Sequence, residues 1–259
     1  MRCAMIDHLS ASQIQTYMEC SLKYKFNKID QLPKPFKPAG LALGSSIHAA
    51  VEWLHRRWKQ GDEVTLKSVW DIFEADWYAQ SLDEIRYKNG DTSEESVELG
   101  KSLLSVYFNN SPHNGILHAE LPFDVPLVDT QTNETLDVSL QGMFDKIENG
   151  DIVADLKTWS RTLSQDDLAS NIQLTAYSYA YRMLFKTIPT LRFDVLLKTR
   201  IPQFKQFFSL RTDADHQSFF LLCKEVYNGI RKEVFFPNPS WKCRDCEYRQ
   251  HCWFWRGKA

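Results

Sequence analysis

Two groups of residues in this 259-residue chain have the types and spacing to do chemistry. The first is Asp145, in Gly142-Met-Phe-Asp145, with Asp155-Leu-Lys157 ten residues on. Carboxylates are the oxygen ligands of Mg2+ or Mn2+, and a lysine two residues beyond the second carboxylate lies on the same side of a strand. Such a set can hold a divalent ion, orient a water and stabilise the charge on a pentavalent phosphorus, as phosphodiester hydrolysis requires. The Leu156 carbonyl offers one more oxygen. The second group is Cys243, Cys246 and Cys252, a C-x2-C-x5-C run, with Cys20 alone upstream. Three close thiols leave one position of a four-ligand site open, and Cys20 is the natural fourth. A [4Fe–4S] cluster or a zinc ion held by four cysteines satisfies that count, and His251 beside Cys252 keeps a three-cysteine, one-histidine zinc site open. Cys3 and Cys223 fall outside the pattern, and Cys223 reads as a core residue on an apolar helix.

Supporting residues lie elsewhere. Gln173 and Tyr177 are spaced i, i+4, so their amide and phenol share a helix face and can hold a DNA phosphate or a metal-bound water. His48, in Gly-Ser-Ser-Ile-His, can complete a metal shell, although a lone helical histidine more often packs or faces solvent. Glu120 is a weaker candidate carboxylate.

Strand register decides whether the first group can meet. A two-residue turn at Asn149-Gly150 pairs Glu148 with Asp151 and puts Asp145 and Asp155 on opposite faces. A three-residue loop, Asn149-Gly150-Asp151, pairs Glu148 with Ile152 and sets Asp145 opposite Asp155. The site requires the odd loop or a bulge.

The elements that must carry these residues follow from periodicity and punctuation. Residues 9–28 read as a helix with Ser10 and Gln13 as a capping box, and residues 30–43 as a Pro-rich loop. A helix capped by Ser45 or Ser46 runs to about Lys59. Residues 65–110 read as helical around a loop at Asn89-Gly90-Asp91. Strands are expected over 116–128, 135–148, 151–159, 191–199 and 204–210. One helix is expected from Ser164 to about Phe185, another over 213–232. This order predicts a mixed α/β (α+β) fold with a helical N-terminal lobe. We expect one domain over 1–259, an inserted helical lobe at 60–110, and a cluster-binding segment made of 237–259 plus Cys20.

Composition narrows the class. Hydrophobic residues make up 43%, enough for a packed core, and no apolar run approaches the ~18–20 residues of a membrane span. The N-terminus lacks the apolar stretch of a secretory signal. We expect a cytoplasmic protein with no membrane partner, in which clustered cysteines are metal ligands before they are disulfides. Residues 62–98 hold eleven acids and three bases, leaving +6 for the remainder of a chain whose total is −2. A moderately basic body can therefore bind phosphates locally.

Gly-Ser-Ser-Ile-His48, Gly-Met-Phe-Asp145, Asp155-Leu-Lys157 and Gln173-Leu-Thr-Ala-Tyr177 occur in the order found in PD-(D/E)XK nucleases of the RecB type, and the chain resembles that family from about residue 9 to residue 253. The resemblance implies a restriction-endonuclease-like core: a central mixed β-sheet flanked by helices. It implies that His48, Asp145, Asp155 and the Leu156 carbonyl bind Mg2+ or Mn2+, that Lys157 is catalytic, and that Gln173 and Tyr177 assist with DNA. Asp155 stands where the family often has Glu. One upstream cysteine plus the C-terminal C-x2-C-x5-C resembles the iron-staple nucleases, among them the AddB nuclease domain and the CRISPR spacer-acquisition exonuclease. That implies a [4Fe–4S] cluster on Cys20, Cys243, Cys246 and Cys252, structural in its first role.

Bases mixed with aromatics at Lys23-Tyr-Lys-Phe26, Lys198, Arg200, Lys205, Arg244, Arg249, Trp253 and Trp255 suit single-stranded or frayed DNA, or else cap the cluster. The expected function is a metal-dependent DNA exonuclease in recombination, repair or CRISPR spacer processing. Two rivals share these residues: a nuclease subunit active only with a helicase or a CRISPR integrase, and a non-catalytic DNA-binding module with the cluster as a redox switch.

Overall fold

The computed structural model describes residues 6–88 and 90–257. Cys3 and Asn89 lie outside them. The elements are β1 (His8–Leu9), α1 (Ala11–Glu19), α2 (Ser21–Tyr24), β2 (Lys37–Pro38), α3 (Ala39–Gln60), α4 (Leu66–Gln80), β3 (Ile85–Arg86), α5 (Ser93–Asn110), β4 (Ile116–Val128), β5 (Thr135–Glu148), β6 (Ile152–Trp159), α6 (Gln165–Ala169), α7 (Ile172–Phe185), β7 (Thr190–Leu197), β8 (Gln203–Ser209), α8 (Asp213–Arg231) and α9 (Arg249–Trp255). A π-helical turn (Lys25–Ile29) follows α2, and a 3-10 turn (Trp241–Asp245) precedes α9.

A six-stranded mixed sheet runs β1-β5-β6-β7-β8, with β4 on the other edge of β5. β6 and β7 are parallel and the α6–α7 segment connects them; β4–β5, β5–β6 and β7–β8 are antiparallel. One face is covered by α1, α7 and α8 through Ile14, Tyr177, Phe220 and their neighbours. The other is covered by α3, α4 and α5, whose Ile47, Phe73 and Leu103 pack with Leu156 and Leu196 of the sheet. This is the restriction-endonuclease-like arrangement: a mixed sheet between two helical layers.

Glu148 pairs with Ile152 and Lys146 with Ala154, so the loop has three residues. Gly150 and Asp151 carry its positive φ angles, 79° and 57°. Along that edge of β5, residues 139–140 pair with β1 and 146–148 with β6. Asp145 sits in the unpaired gap between them. Gly142 leaves room for the Phe123 ring of β4, which a Cβ would overlap.

Several helix boundaries differ from expectation. The first helix breaks at Cys20, whose φ of −164° and ψ of 102° are extended. Ser10 accepts from the Gln13 backbone N–H, but the Gln13 side chain turns inward and accepts from the Tyr24 hydroxyl, so the box is half formed. Neither Ser45 nor Ser46 caps α3; the helix begins seven residues before Ser46, at Ala39, because Pro38 supplies an extended N-cap needing no hydroxyl. Asn171 accepts from Leu174 N–H and starts α7 afresh, dividing the helix expected from Ser164.

One buried device was not foreseen. Lys146, Glu148, Arg192 and Asp194 are each at most 6% exposed. Arg192 binds Glu148 through both terminal nitrogens (2.7 and 2.8 Å) and Asp194 through Nε (2.8 Å), while Lys146 Nζ lies 2.8 Å from Glu148 and 3.3 Å from Asp194. The four charges balance across β5 and β7, meeting over Ala154, which pairs with both Lys146 and Arg192. A larger residue there would separate them.

Candidate active site and cysteine cavity

Asp155 is 1% exposed on β6. Its Oδ1 accepts from Gln173 Nε2 (2.7 Å) and from the Tyr177 hydroxyl (3.2 Å), and Gln173 also donates to Tyr177 Oη at 3.0 Å. The i, i+4 pair on α7 thus clamps the carboxylate. The Lys157 ammonium lies 2.6 Å from Asp155 Oδ2, yet that buried oxygen has no hydrogen-bond partner among the described residues. The contact is electrostatic and off the hydrogen-bond direction, so a lone pair remains for a cation. Asp145 Oδ2 accepts from Leu156 N–H at 3.1 Å, and its Oδ1 lies 3.4 Å from the Tyr177 hydroxyl. The His48 imidazole is 3.6 Å from Asp145 Oδ2, longer than a hydrogen bond. Gly44, one turn before His48, lets α3 approach β6: a Cβ there would stand 3.3 Å from Thr158 Oγ1.

Electrostatics favour cation binding. Burial, then the neighbouring Asp155 charge, pushes the Asp145 carboxyl well above the usual range. Burial pushes the His48 imidazole down, leaving it neutral with a free lone pair near pH 7. Burial and the two carboxylates push the Tyr177 phenol up, so it stays a donor. A second positive charge among these carboxylates would relieve the repulsion that raises Asp145.

Glu120 faces this site. Its φ of 54° places a non-glycine residue in the left-handed region, a strained conformation. The β4–β5 pairing omits Glu120 and Asp145, while Ala119↔Lys146 and Leu121↔Phe144 flank them. Glu120, His48, Asp145, Lys146, Leu156 and Asp194 line a void of ≈10 Å³. Burial and Glu52 raise the Glu120 carboxyl to about 7.

Cys20, Cys243, Cys246 and Cys252 line one cavity of ≈530 Å³, together with Lys23, Arg244, Arg249 and Arg256. Cys20 Sγ accepts from Lys23 N–H (3.4 Å) and Cys243 Sγ from Ser240 N–H (3.3 Å). Burial raises the thiols of Cys246 and Cys252. Leu22, Phe26 and Tyr248 form a small core against three of these cysteines. His251 lies against Phe26 and Tyr248, with ring centroids 6.0 and 6.3 Å away. Cys223, by contrast, is fully buried in the main core.

Among the described residues, no group of three or more His, Cys, Asp or Glu side chains is placed to hold an ion as it stands. At the acidic site, Gln173 and Tyr177 hold Asp155 Oδ1 and the Lys157 ammonium lies against Oδ2. At the cysteines, the sulfurs share a cavity wall without converging.

The chain belongs to the PD-(D/E)XK nuclease superfamily, whose profile matches residues 8–253. Its fold is similar to that of a "putative exonuclease" from Eubacterium rectale (TM-score 0.60, 12% identity, covering 95% of this chain and 88% of that one). A second solved structure, of a protein designated SSO0001, aligns at a TM-score of 0.35 with 15% identity over 89% of this chain and 93% of that one. No curated protein matches the chain. Among the described residues, no helix is long and apolar enough to cross a membrane.

Proposed function

We propose that this chain is a metal-dependent DNA exonuclease acting on single-stranded or frayed ends, in recombination, repair or CRISPR spacer processing in the cytoplasm. One observation carries the reading: Asp145, Asp155 and Lys157 meet beside the Gln173–Tyr177 clamp, where β5 and β6 part. The buried, unsatisfied Asp155 Oδ2 and the neutral His48 suit a hard divalent cation. Asp145, Asp155, His48 and the Leu156 carbonyl would hold Mg2+ or Mn2+, which supplies Lewis-acid stabilisation of phosphoryl charge. Gln173 and Tyr177 fix the orientation of Asp155. Lys157, freed from Asp155, holds a water or a phosphoryl oxygen by its ammonium.

We read the four cysteines as ligands of a thiolate-bound centre, [4Fe–4S] first and zinc second. Four thiols on one wall and N–H donors to two sulfurs suit an anionic thiolate cluster. Its contribution there is structural, joining the first helices to the tail.

The test is Mn2+-dependent degradation of 5′- and 3′-labelled strands beside a circular control. Stepwise loss from an end, with the circle spared, is expected. Asp145→Ala, Asp155→Ala and Lys157→Ala should each slow cleavage about 10³-fold. Full activity in all three variants overturns the assignment.

A further inference from the structure

The last helix presents more aromatic surface than its own domain covers. Trp253, Phe254 and Trp255 are consecutive on α9 and 45%, 69% and 51% exposed. Consecutive residues on a helix point about 100° apart, so no single packing face can bury all three. Trp241, in the 3-10 turn before it, is 81% exposed.

Charge on this segment is segregated. Its acids, Asp245 and Glu247, are already taken by lysines from elsewhere: Lys88 at 2.6 Å and Lys23 at 3.0 Å. Arg244, Arg249 and Arg256 are exposed and make no recorded ion pair with a carboxylate among the described residues. The Arg249 guanidinium lies 4.7 Å from the Trp253 ring centroid, so base and aromatic form one flat surface. Arginines with no carboxylate partner among the described residues therefore lie on the same segment as these exposed rings. A protein partner binding through apolar contact alone would leave three arginines to be desolvated without compensation. A polyanion with flat apolar faces satisfies both features.

We propose that α9 and the adjoining 3-10 turn form a docking platform for unpaired nucleotides. Bases stack on Phe254, Trp255 and Trp241, and phosphates contact Arg249, Arg256 and Arg244. The platform deepens the nuclease reading given above and rests on it: it would hold a strand beside the cysteine cavity while another part of the same strand reaches the acidic site. Stacking on aromatics tolerates every base, so the platform selects single strands without selecting sequence.

Phe254 and Trp255 do not line the cysteine cavity, so altering them leaves its wall intact. The experiment measures, without added Mg2+ or Mn2+ and with the metal-loaded cysteine site, binding of oligothymidylate and of an abasic oligomer of equal length. Wild type should bind oligothymidylate more tightly. Phe254→Ala/Trp255→Ala should weaken that binding about tenfold or more and leave abasic binding unchanged, while Phe254→Tyr/Trp255→Phe restores it. Equal wild-type affinity for the two oligomers overturns the platform. So does a double alanine variant that binds oligothymidylate like wild type, including one that instead turns a dimer into a monomer, which would assign the aromatics to contact between copies. The two readings fail separately. Stacking-dependent binding without Mn2+-dependent cleavage sinks the nuclease alone, and cleavage with aromatic-independent binding sinks the platform alone.

Discussion

Asp145 accepts a hydrogen bond from the backbone N–H of Leu156, with 3.1 Å between Oδ2 and N. Regular pairing of β5 with β6 ends at Lys146 and Ala154. Beyond it, a side chain takes over the role of a ladder carbonyl. This substitution lets the two strands part while keeping Asp145 beside Asp155, and it satisfies a backbone donor that the parting would otherwise strand.

Tyr177 should govern metal affinity through Asp155. Tyr177→Phe keeps the ring, which packs 5.3 Å centroid to centroid from Phe144, and removes only the hydroxyl that lies between the carboxylates, 3.2 Å from Asp155 Oδ1 and 3.4 Å from Asp145 Oδ1. The Mn2+ concentration for half-maximal cleavage should rise about 10–100-fold, the usual cost of losing a group that orients a ligand. An unchanged Mn2+ titration would refute the orienting role.

Glu120 should make the metal-free protein less stable as pH rises. Its folded carboxyl titrates at about 7 against an ordinary value of 4.5. Between those values the folded state binds more protons than the unfolded state, so stability falls as pH climbs from about 4.5 to about 7 and is then flat. The carboxyl is partly solvated, so the loss is on the order of 1 kcal/mol, or about 2–4 °C in Tm. Glu120→Gln should match wild type near pH 4.5 and melt higher at pH 8 in EDTA. Parallel Tm curves for the two proteins would show that Glu120 is not the titrating group.

The buried quartet should be intolerant of one-sided change. Lys146→Met leaves Glu148 and Asp194 with Arg192 as their one cation, beside the Gln206 amide that donates to Asp194, and about 3–5 kcal/mol of stability should be lost in urea unfolding. Asp145 is next to Lys146 in β5, so cleavage should fall as well. A cost below about 1 kcal/mol would mean that the quartet adds little beyond packing.

The cysteine cavity should be a metal site in the purified protein. Anaerobically prepared wild type should contain iron and absorb near ~400 nm, and Cys20→Ser or Cys252→Ser should remove both. Tm should fall by about 10 °C, the shift that ~4 kcal/mol of ligand binding gives a domain of this size. Colourless protein with bound zinc would replace the cluster; protein with neither metal would end the metal reading.

Much of this arrangement could be read from residue order. β-Branched and aromatic runs bounded by Gly and Asn located β4, β5 and β6 to within a residue, because a half-buried strand needs its alternation. The three-residue loop followed from requiring Asp145 opposite Asp155. Helix boundaries fared worse: Pro38 and Asn171 act through backbone geometry and a single side-chain acceptor, signals obscured by Ser45 and Ser46, which cap nothing, and by Ser164, which caps α6 alone. Lys146-Ile-Glu148 looks like the edge of a solvated strand, and only the partnership with Arg192 and Asp194, about 45 residues on, turns its charges inward. Glu120 could be named from sequence only as a weaker candidate carboxylate, since its left-handed backbone is invisible in composition. The Asp155 clamp was half visible: i, i+4 spacing put Gln173 and Tyr177 together, while their grip on a carboxylate needed the α7-to-sheet distance.

The join between chain ends has a consequence for synthesis. Phe236 N–H donates to Ser21 Oγ (2.9 Å), and Leu22 N–H donates to the Phe236 carbonyl (3.1 Å). A ribosome delivers residue 236 long after residue 21, so the helices over residues 11–24 must wait, with that edge unmet, until residue 236 has emerged. Nascent or truncated chains ending before this point should therefore be the forms most readily captured by chaperones and proteases.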